Sequence, residues 1–123
     1  MLKKIEGATP ALGPYSAGVA WGELVFVSGQ IPTDADGNLP EGIEAQAEQS
    51  IKNVKTVLEN AGSDLRHVLK TTVFLRDMDD FAAVNEVYAR YFDGDVKPAR
   101  SCVQAAKLPK DMPLEIEAIA VKK

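Results

Sequence analysis

The sequence predicts a single α+β domain, residues 1–123, built as a mixed six-stranded sheet with two helices on one face. The length of 123 residues suits one domain. Apolar residues recur at helical spacing in only two segments. The remaining apolar segments are short and rich in β-branched and aromatic residues, which is typical of strands. The predicted order is two strands, a short third strand, a helix, a strand, a helix and two final strands.

The first two strands form a predicted β-hairpin. They cover residues 16–21 and 24–28, and Gly22-Glu23 forms the tight turn between them. Residues 24–27 are all apolar, so we expect both faces of the second strand to be covered. Turn-forming residues at 34–40 then lead toward the first helix.

Two amphipathic helices follow, separated by a strand at residues 68–75. The predicted buried stripe of the first helix is Ile51, Val54, Leu58 and Ala61. Gly62 is expected to end this helix. The second helix begins near residues 77–80, where Asp77 or Asp79 can cap it, and Gly94 ends it. Its predicted buried stripe is Phe81, Val84, Tyr88 and Tyr91.

The last two predicted strands are residues 100–106 and 114–121. Because strand–helix–strand connections are right-handed, both helices are expected on the same face of the sheet. Two helices cannot cover both faces. The uncovered face therefore predicts that the chain assembles into an oligomer.

Composition argues against several classes of function. The net charge is −4 and no basic run is present, which argues against nucleic-acid binding. One cysteine and one histidine leave neither a disulfide framework nor a zinc site of the usual type within one chain. No apolar segment is typical of a signal peptide or long enough to span a membrane. We therefore expect a soluble, cytoplasmic protein.

Candidate chemistry lies on the last two strands. Alternation places Glu115 and Glu117 on one face of the final strand, and Arg100 and Cys102 on one face of the strand before it. The glutamates are either a solvated strand end or a cleft carboxylate whose pKa is raised by desolvation. Arg100 is either a surface ion-pair partner or a bidentate ligand for a substrate carboxylate. Cys102 is typical of a small buried hydrophobe.

Other catalytic patterns are weak. Ser28 and His67 lack the nucleophile-elbow spacing of a Ser-His-Asp triad. The glycines form no nucleotide-binding pattern. Tyr15 is either a packed loop aromatic or a lid over a site. The residues alone thus predict an α+β domain with a candidate Arg–Glu site.

Five parts of the chain carry distinctive short segments: GPYS at 13–16, VSGQIP at 27–32, KTTVFL at 70–75, PARSCV at 98–103, and LPK at 108–110 followed by EIEAIA at 115–120. These segments closely resemble those of the reactive intermediate deaminase family, also named the YjgF/YER/UK family. The resemblance runs nearly end to end, in the family's order and spacing. It implies a chorismate-mutase-like fold and a homotrimer with three sites in clefts between subunits.

The resemblance also implies an activity and the residues for it. The family hydrolyses 2-iminobutanoate and 2-iminopropanoate, released by pyridoxal-phosphate enzymes, to 2-keto acids and ammonia without a metal or organic cofactor. By motif, Arg100 corresponds to the arginine that binds the substrate carboxylate, and Glu115 to the glutamate that positions the attacking water. The residues that correspond to the pocket lining are Tyr15, Ser28, Gly29, Asn85 and Cys102, the last mainly through its backbone N–H.

The directions of the last two predicted strands place Arg100 and Glu115 of one chain far apart. If the last two strands run antiparallel about a turn near Lys110, whether directly paired or with one strand between them, Arg100 is level with Ala120, which lies about 17 Å from Glu115. One small substrate cannot span that distance. We therefore expect Arg100 and Glu115 of one site to come from different subunits.

Other functions stay open on the sequence alone. A non-catalytic protein that binds or senses 2-keto acids would use the same Arg100. A ribonuclease or translation inhibitor is disfavoured by the acidic charge balance. A chaperone-like holdase would leave no motif.

Overall fold

The computed structural model describes residues 1–123 and contains one mixed sheet and two helices. The strands are β1 (Lys3–Ile5), β2 (Gly18–Trp21), β3 (Leu24–Gln30), β4 (Val68–Leu75), β5 (Ala99–Gln104) and β6 (Leu114–Val121), and the helices are α1 (Ile43–Asn60) and α2 (Phe81–Tyr91). The strand order across the sheet is β1-β2-β3-β6-β4-β5. Only β4 and β5 pair in parallel. The predicted six-stranded α+β domain is therefore confirmed.

The N-terminal hairpin forms as predicted, but the short strand lies elsewhere. Gly22 has a φ of 59°, which glycine adopts without strain, and Trp21 pairs with Leu24 across the turn. The short strand was predicted after the hairpin, and this is wrong, because β1 precedes the hairpin and pairs with β2. After β3 the chain turns instead. The Asp34 carboxylate accepts hydrogen bonds from the backbone N–H groups of Asp36 and Asn38, both at 2.9 Å.

Helix α1 carries the predicted apolar stripe into the core. Ile51, Val54 and Leu58 are fully buried. The helix ends at its cap Ala61, and Gly62 follows with a φ of 80°. The sequence predicted this buried stripe correctly, because α1 packs against one face of the sheet and its buried residues recur with regular helical spacing.

Helix α2 departs from its predicted stripe. Val84 and Tyr88 are buried as predicted. Phe81 is 38% exposed, so the prediction that it belongs to the core is wrong. Phe81 is the first residue of α2 and lies over the Arg100 side chain of the edge strand instead. Asp77 caps a separate 3₁₀ turn just before α2, by accepting a hydrogen bond from the Asp79 N–H at 2.9 Å.

Both helices lie on one face because of two crossovers. Strands β3 and β4 are both antiparallel to β6 and hence parallel to each other, and α1 connects them. Helix α2 connects the parallel neighbours β4 and β5. Right-handed crossovers place the two helices side by side, where they contact each other.

The opposite face, which we call the open face, has no covering element. It presents side chains of Phe26, Thr72, Phe74, Val103, Glu115, Glu117 and Ile119. The prediction that both faces of the second strand are covered is wrong for this chain: Val25 and Val27 are buried, but Phe26 between them is 44% exposed. Neither α1 nor α2 combines the length and the apolar character that a membrane-spanning helix requires.

Candidate functional site

Arg100 lies on the helix-covered face of the edge strand β5. It pairs with Thr71 of β4, and paired residues share a face. Thr71 is fully buried and its hydroxyl bonds the Tyr88 hydroxyl of α2 at 2.7 Å. The Arg100 side chain is therefore directed toward α2, where its Nη1 donates a hydrogen bond to Asn85 Oδ1 at 2.6 Å.

Three side chains of α2 surround the Arg100 guanidinium. The Arg100 Cζ atom is 4.8 Å from the centre of the Tyr88 ring and 5.6 Å from that of Phe81. With Asn85, these residues sit at i, i+4 and i+7, which places them on one side of the helix. We call Phe81, Asn85 and Tyr88 the Arg100 cradle.

Arg100 has no carboxylate partner, although other arginines of the chain do. Arg66 pairs with Asp93 at 3.2 Å and Arg76 with Asp111 at 3.7 Å. Arg100 instead contacts an amide and two neutral rings, and only one of its five N–H donors is used by Asn85. Its charge and remaining donors are free to bind an anion, which favours the carboxylate-binding interpretation over the surface ion pair.

Glu115 lies on the open face, against Gly29. The register between β3 and β6 shifts between Val27 and Gln30, so Gly29 sits in an irregularity of the ladder. A Cβ added at Gly29 would stand 2.5 Å from Glu115 Cδ and 2.7 Å from its Cγ. Only glycine leaves room for the Glu115 side chain in this position.

The environment of Glu115 favours a cleft carboxylate over a solvated strand end. The residue is half-buried. Burial raises the pKa of its carboxyl, and the charge of Glu117 on the same face raises that pKa further. A carboxylate with a raised pKa both accepts and returns a proton more readily near neutral pH.

Two further candidates lie near Gly29. Tyr15 and Gly29 both line a cleft of about 330 Å³ between the 9–15 loop and the 29–37 loop. The Tyr15 side chain is half-exposed, and its hydroxyl accepts a hydrogen bond from the Leu12 N–H at 3.3 Å. The Ser28 hydroxyl donates to the Ser16 carbonyl at 2.6 Å, so it ties β3 to the loop that carries Tyr15.

The structure thus divides the predicted site residues into two groups. One group is Arg100, Asn85 and Cys102, and the other is Glu115, Gly29, Ser28 and Tyr15. Cys102 follows Arg100 on the helix-covered face, and burial raises the pKa of its thiol, which is typical of an unreactive cysteine.

The two groups of one chain do not meet. Through Thr71, Arg100 is level with Ala118, not with Ala120 as predicted, because the register of β4 with β5 and with β6 differs from that of a turn centred near Lys110. Glu115 lies three residues before Ala118 on β6, so the Cα atoms of Arg100 and Glu115 are about 14 Å apart. An odd number of residues also reverses the face, which puts the Arg100 and Glu115 side chains on opposite sides of the sheet.

Other chemistry is sparse. Nowhere in the chain do three or more His, Cys, Asp or Glu side chains come together as a group that could hold a metal ion. His67 bonds Asp64 through Nδ1 at 2.6 Å, but the Ser28 hydroxyl donates to the Ser16 carbonyl and not to His67, so Ser28 and His67 do not form the serine–histidine pair of a triad.

Sequence reasoning missed the cradle residues Phe81 and Tyr88 and the buried Thr71. Periodicity assigned both aromatics to the core, although Phe81 is exposed. The available signal was the i, i+4, i+7 spacing of two aromatics with Asn85. That spacing becomes meaningful only once β5 is known to lie beside α2.

Comparison with known proteins agrees with this architecture. The family model described as Endoribonuclease L-PSP matches residues 6–122. A RutC family protein of Haemophilus influenzae is 53% identical, and a 2-iminobutanoate/2-iminopropanoate deaminase of Salmonella typhimurium is 50% identical; each alignment covers 96% of this chain and 94% of the relative.

Among solved structures, E. coli TdcF with bound serine superposes with a TM-score of 0.93 at 48% identity. The alignment covers 98% of this chain and 99% of TdcF. The match of sequence, length and fold is nearly complete. The chain therefore belongs to the Endoribonuclease L-PSP family, which is the reactive intermediate deaminase family.

Proposed function

We propose that this protein hydrolyses reactive 2-imino acids, such as 2-iminobutanoate and 2-iminopropanoate, to 2-keto acids and ammonia, with the cytoplasm as its expected location. The observation that carries the proposal is the Arg100 guanidinium, which is ordered by α2 yet unpaired with any carboxylate. The relative from Salmonella typhimurium that bears this activity in its name is 50% identical.

The carboxylate of the substrate is the proposed ligand of Arg100. A guanidinium offers a planar pair of N–H donors that matches a carboxylate in two parallel hydrogen bonds. E. coli TdcF was solved with bound serine, a small amino acid with such a carboxylate. A 2-imino acid resembles an amino acid in carbon skeleton and carboxylate.

Glu115 is the proposed proton carrier. Water adds to the carbon of the protonated C=N bond, the π electrons move to nitrogen, and Glu115 takes one proton from this water as the C–O bond forms. Glu115 then returns this proton to the carbinolamine nitrogen. The C–N bond breaks as the hydroxyl oxygen forms the C=O bond of the 2-keto acid, and the hydroxyl proton passes through Glu115 to the departing ammonia, which leaves as ammonium. The raised pKa of Glu115 suits both steps, because one group must act as base and then as acid.

The complete site is proposed to lie between subunits of a homotrimer. Arg100 and Glu115 of one chain face opposite sides of the sheet, so one small molecule cannot contact both. The open face exposes Phe26 and Val103, each 44% accessible, and so offers apolar surface for a partner subunit. In a cyclic oligomer, Arg100 of one subunit meets Glu115 of the next.

A trapping assay tests the activity. A threonine dehydratase generates 2-iminobutanoate in the presence of semicarbazide, and the semicarbazone is followed by its absorbance. The wild type is expected to lower the semicarbazone yield, and Arg100→Ala is expected not to. Arg66→Ala is the matched control, because it removes an exposed arginine that pairs with Asp93 and has no contact with the Arg100 cradle. An unchanged semicarbazone yield with wild type would refute the proposed activity.

A subunit-mixing experiment tests the shared site. Arg100→Ala and Glu115→Gln chains are each expected to be inactive alone. After co-refolding in equal amounts, about a quarter of the interfaces carry both intact residues, so about a quarter of the wild-type activity should return. If the mixture stays as inactive as its parents, one chain must supply both residues of a site.

The alternative of a non-catalytic 2-keto acid sensor makes a different prediction. Calorimetry with 2-ketobutanoate measures binding without turnover. A sensor would bind 2-ketobutanoate and leave the semicarbazone yield unchanged. The ribonuclease activity in the family's description is disfavoured by the net charge of −4.

A further inference from the structure

We propose that Tyr88, fixed by its buried hydrogen bond to Thr71, is a positioning residue that holds the Arg100 guanidinium ready for an anionic substrate. This inference rests on the proposed function, since it assigns Arg100 to the substrate carboxylate. Tyr88 itself acts only through Arg100.

The need for such a residue follows from the place of Arg100 in the fold. Arg100 is exposed near the start of an edge strand, with a neighbouring strand on one side only. A long arginine side chain in such a place loses much rotamer freedom when it binds a ligand. Contacts that order the side chain beforehand lower that loss and so favour binding.

The Tyr88 ring is well suited to provide this order. Arg100 Cζ lies 4.8 Å from the ring centre, within the range of an attractive cation–π contact. Phe92 also stacks on Tyr88, with ring centres 4.3 Å apart and an interplanar angle of 28°. The Tyr88 residue is 8% exposed, so the ring has little room to move.

Thr71 fixes the ring at its far end. The Thr71 and Tyr88 hydroxyls bond at 2.7 Å in a buried position. Thr71 is also the residue that pairs with Arg100 across β4 and β5. Thr71 therefore fixes the position of Arg100 along the sheet through strand pairing, and the position of the Tyr88 ring through the hydrogen bond between the two hydroxyls.

The cradle is neutral throughout, and this has a chemical consequence. Burial raises the pKa of Tyr88, so its hydroxyl stays protonated, and Asn85 and Phe81 carry no charge. An aspartate or glutamate in the same place would order Arg100 equally well but would neutralise it. The neutral cradle orders the guanidinium and leaves its full charge for the substrate carboxylate.

Tyr88→Leu and Tyr88→Phe test the role of the ring. Loss of the ring in Tyr88→Leu should raise KM about tenfold, because a partly desolvated cation–π contact is lost. The kcat should change much less, since Glu115 and the water are untouched. Tyr88→Phe keeps the ring and loses only the hydrogen bond to Thr71, so its KM should lie between those of the wild type and Tyr88→Leu, with lower thermal stability from the unpaired Thr71 hydroxyl.

Tyr91→Leu is the matched control for a purely structural effect. Tyr91 lies on the same helix, is half-buried, and bonds Glu48 rather than Arg100. It should lower thermal stability without raising KM. Equal KM values for Tyr88→Leu and Tyr91→Leu would overturn the proposal.

Chemical rescue provides a sharper test. In Arg100→Ala the cradle remains, so added guanidinium ion, at concentrations far below those that unfold proteins, should restore part of the activity. The Arg100→Ala/Tyr88→Leu double variant should not respond. Equal rescue of the single and double variants would show that Tyr88 does not hold the cation.

A measurement without turnover separates this inference from the proposed function. In NMR spectra, the Arg100 Nε–Hε signal should be shifted mainly by the Tyr88 ring, and this shift should fall to the smaller Phe81 contribution in Tyr88→Leu but persist in full in Tyr91→Leu. If the shift behaves so while the wild type lacks activity, the proposed function fails and the positioning stands. An unshifted Arg100 signal in the wild type refutes the positioning alone.

Discussion

Arg100 and Glu115 belong to the same sheet but have opposite kinds of surroundings. The chain itself orders Arg100, through an amide, two rings and a strand neighbour that supports one of the rings. Glu115 instead lies on a face that no helix of the chain covers, with Gly29 making room for it. The Arg100 half of the proposed site is held in place by contacts with neighbouring side chains. The Glu115 half depends on the absence of a side chain at Gly29.

This difference predicts how substitutions in the two halves of the site affect substrate binding and turnover. The Arg100 half is supported by several contacts, so single changes in the cradle should weaken substrate binding by degrees. The Glu115 half depends on one carboxylate and on the space that Gly29 leaves for it. A single substitution at either residue should therefore lower kcat strongly.

The largest effect is expected for Glu115→Gln, which keeps the size of the side chain but removes its basicity. The kcat for imine hydrolysis should fall about 10²- to 10⁴-fold, the usual contribution of a general acid–base group. Affinity for 2-ketobutanoate, measured by calorimetry, should change little, because Arg100 is intact. A kcat within tenfold of wild type would show that Glu115 is not the proton carrier.

The second effect concerns the gap at Gly29. In Gly29→Ala the new methyl group overlaps the Glu115 side chain, which must move away. A displacement of about 1 Å at a catalytic group lowers activity about 100-fold. The control is Gly94→Ala, whose added Cβ would lie at 3.6 Å or more from its neighbours. Nearly wild-type kcat in Gly29→Ala would mean that the position of Glu115 is not critical.

A smaller effect is expected for Phe81→Leu in the cradle. The Phe81 ring is farther from Arg100 than Tyr88 is, at 5.6 Å, and is 38% exposed. KM should rise roughly two- to fivefold, as an exposed cation–π contact is weak. Trp21→Leu, an exposed aromatic at the hairpin, serves as the control. A KM increase above that of Tyr88→Leu would reverse the proposed order of the two rings.

The smallest effect is a shift of the pH profile by Glu117→Gln. Glu117 raises the pKa of Glu115, so its neutralisation should lower that pKa and move the acidic limb of kcat to lower pH. The raised pKa also means that the Glu115 contribution to folding stability is full below its unfolded pKa and is lost as pH rises through the folded pKa. Glu59→Gln, on α1, is the charge-matched control. An unmoved limb in Glu117→Gln would show that burial alone sets the Glu115 pKa.

Much of the fold was readable from local pattern. Strands β4 and β6 begin and end where the sequence predicts, because β-branched runs bounded by turn residues are a local signal. The buried stripe of α1 was equally clear. Strand β1 was misplaced because three residues carry too little periodicity, and Phe81 was misassigned because a helix-end residue can face an edge strand instead of the core.

For the proposed site, sequence by itself determined which side chains share a face within each strand. Arg100 lies with Cys102 and Glu115 with Glu117, because the period of a strand is two. Only the tertiary structure decided that the two pairs lie on opposite faces and that Arg100 is level with Ala118. Those facts depend on β4 lying between β5 and β6 and on its register with each. No tight turn joins β4, β5 and β6 to one another, so turn geometry does not fix their register, and the local pattern alone did not determine it.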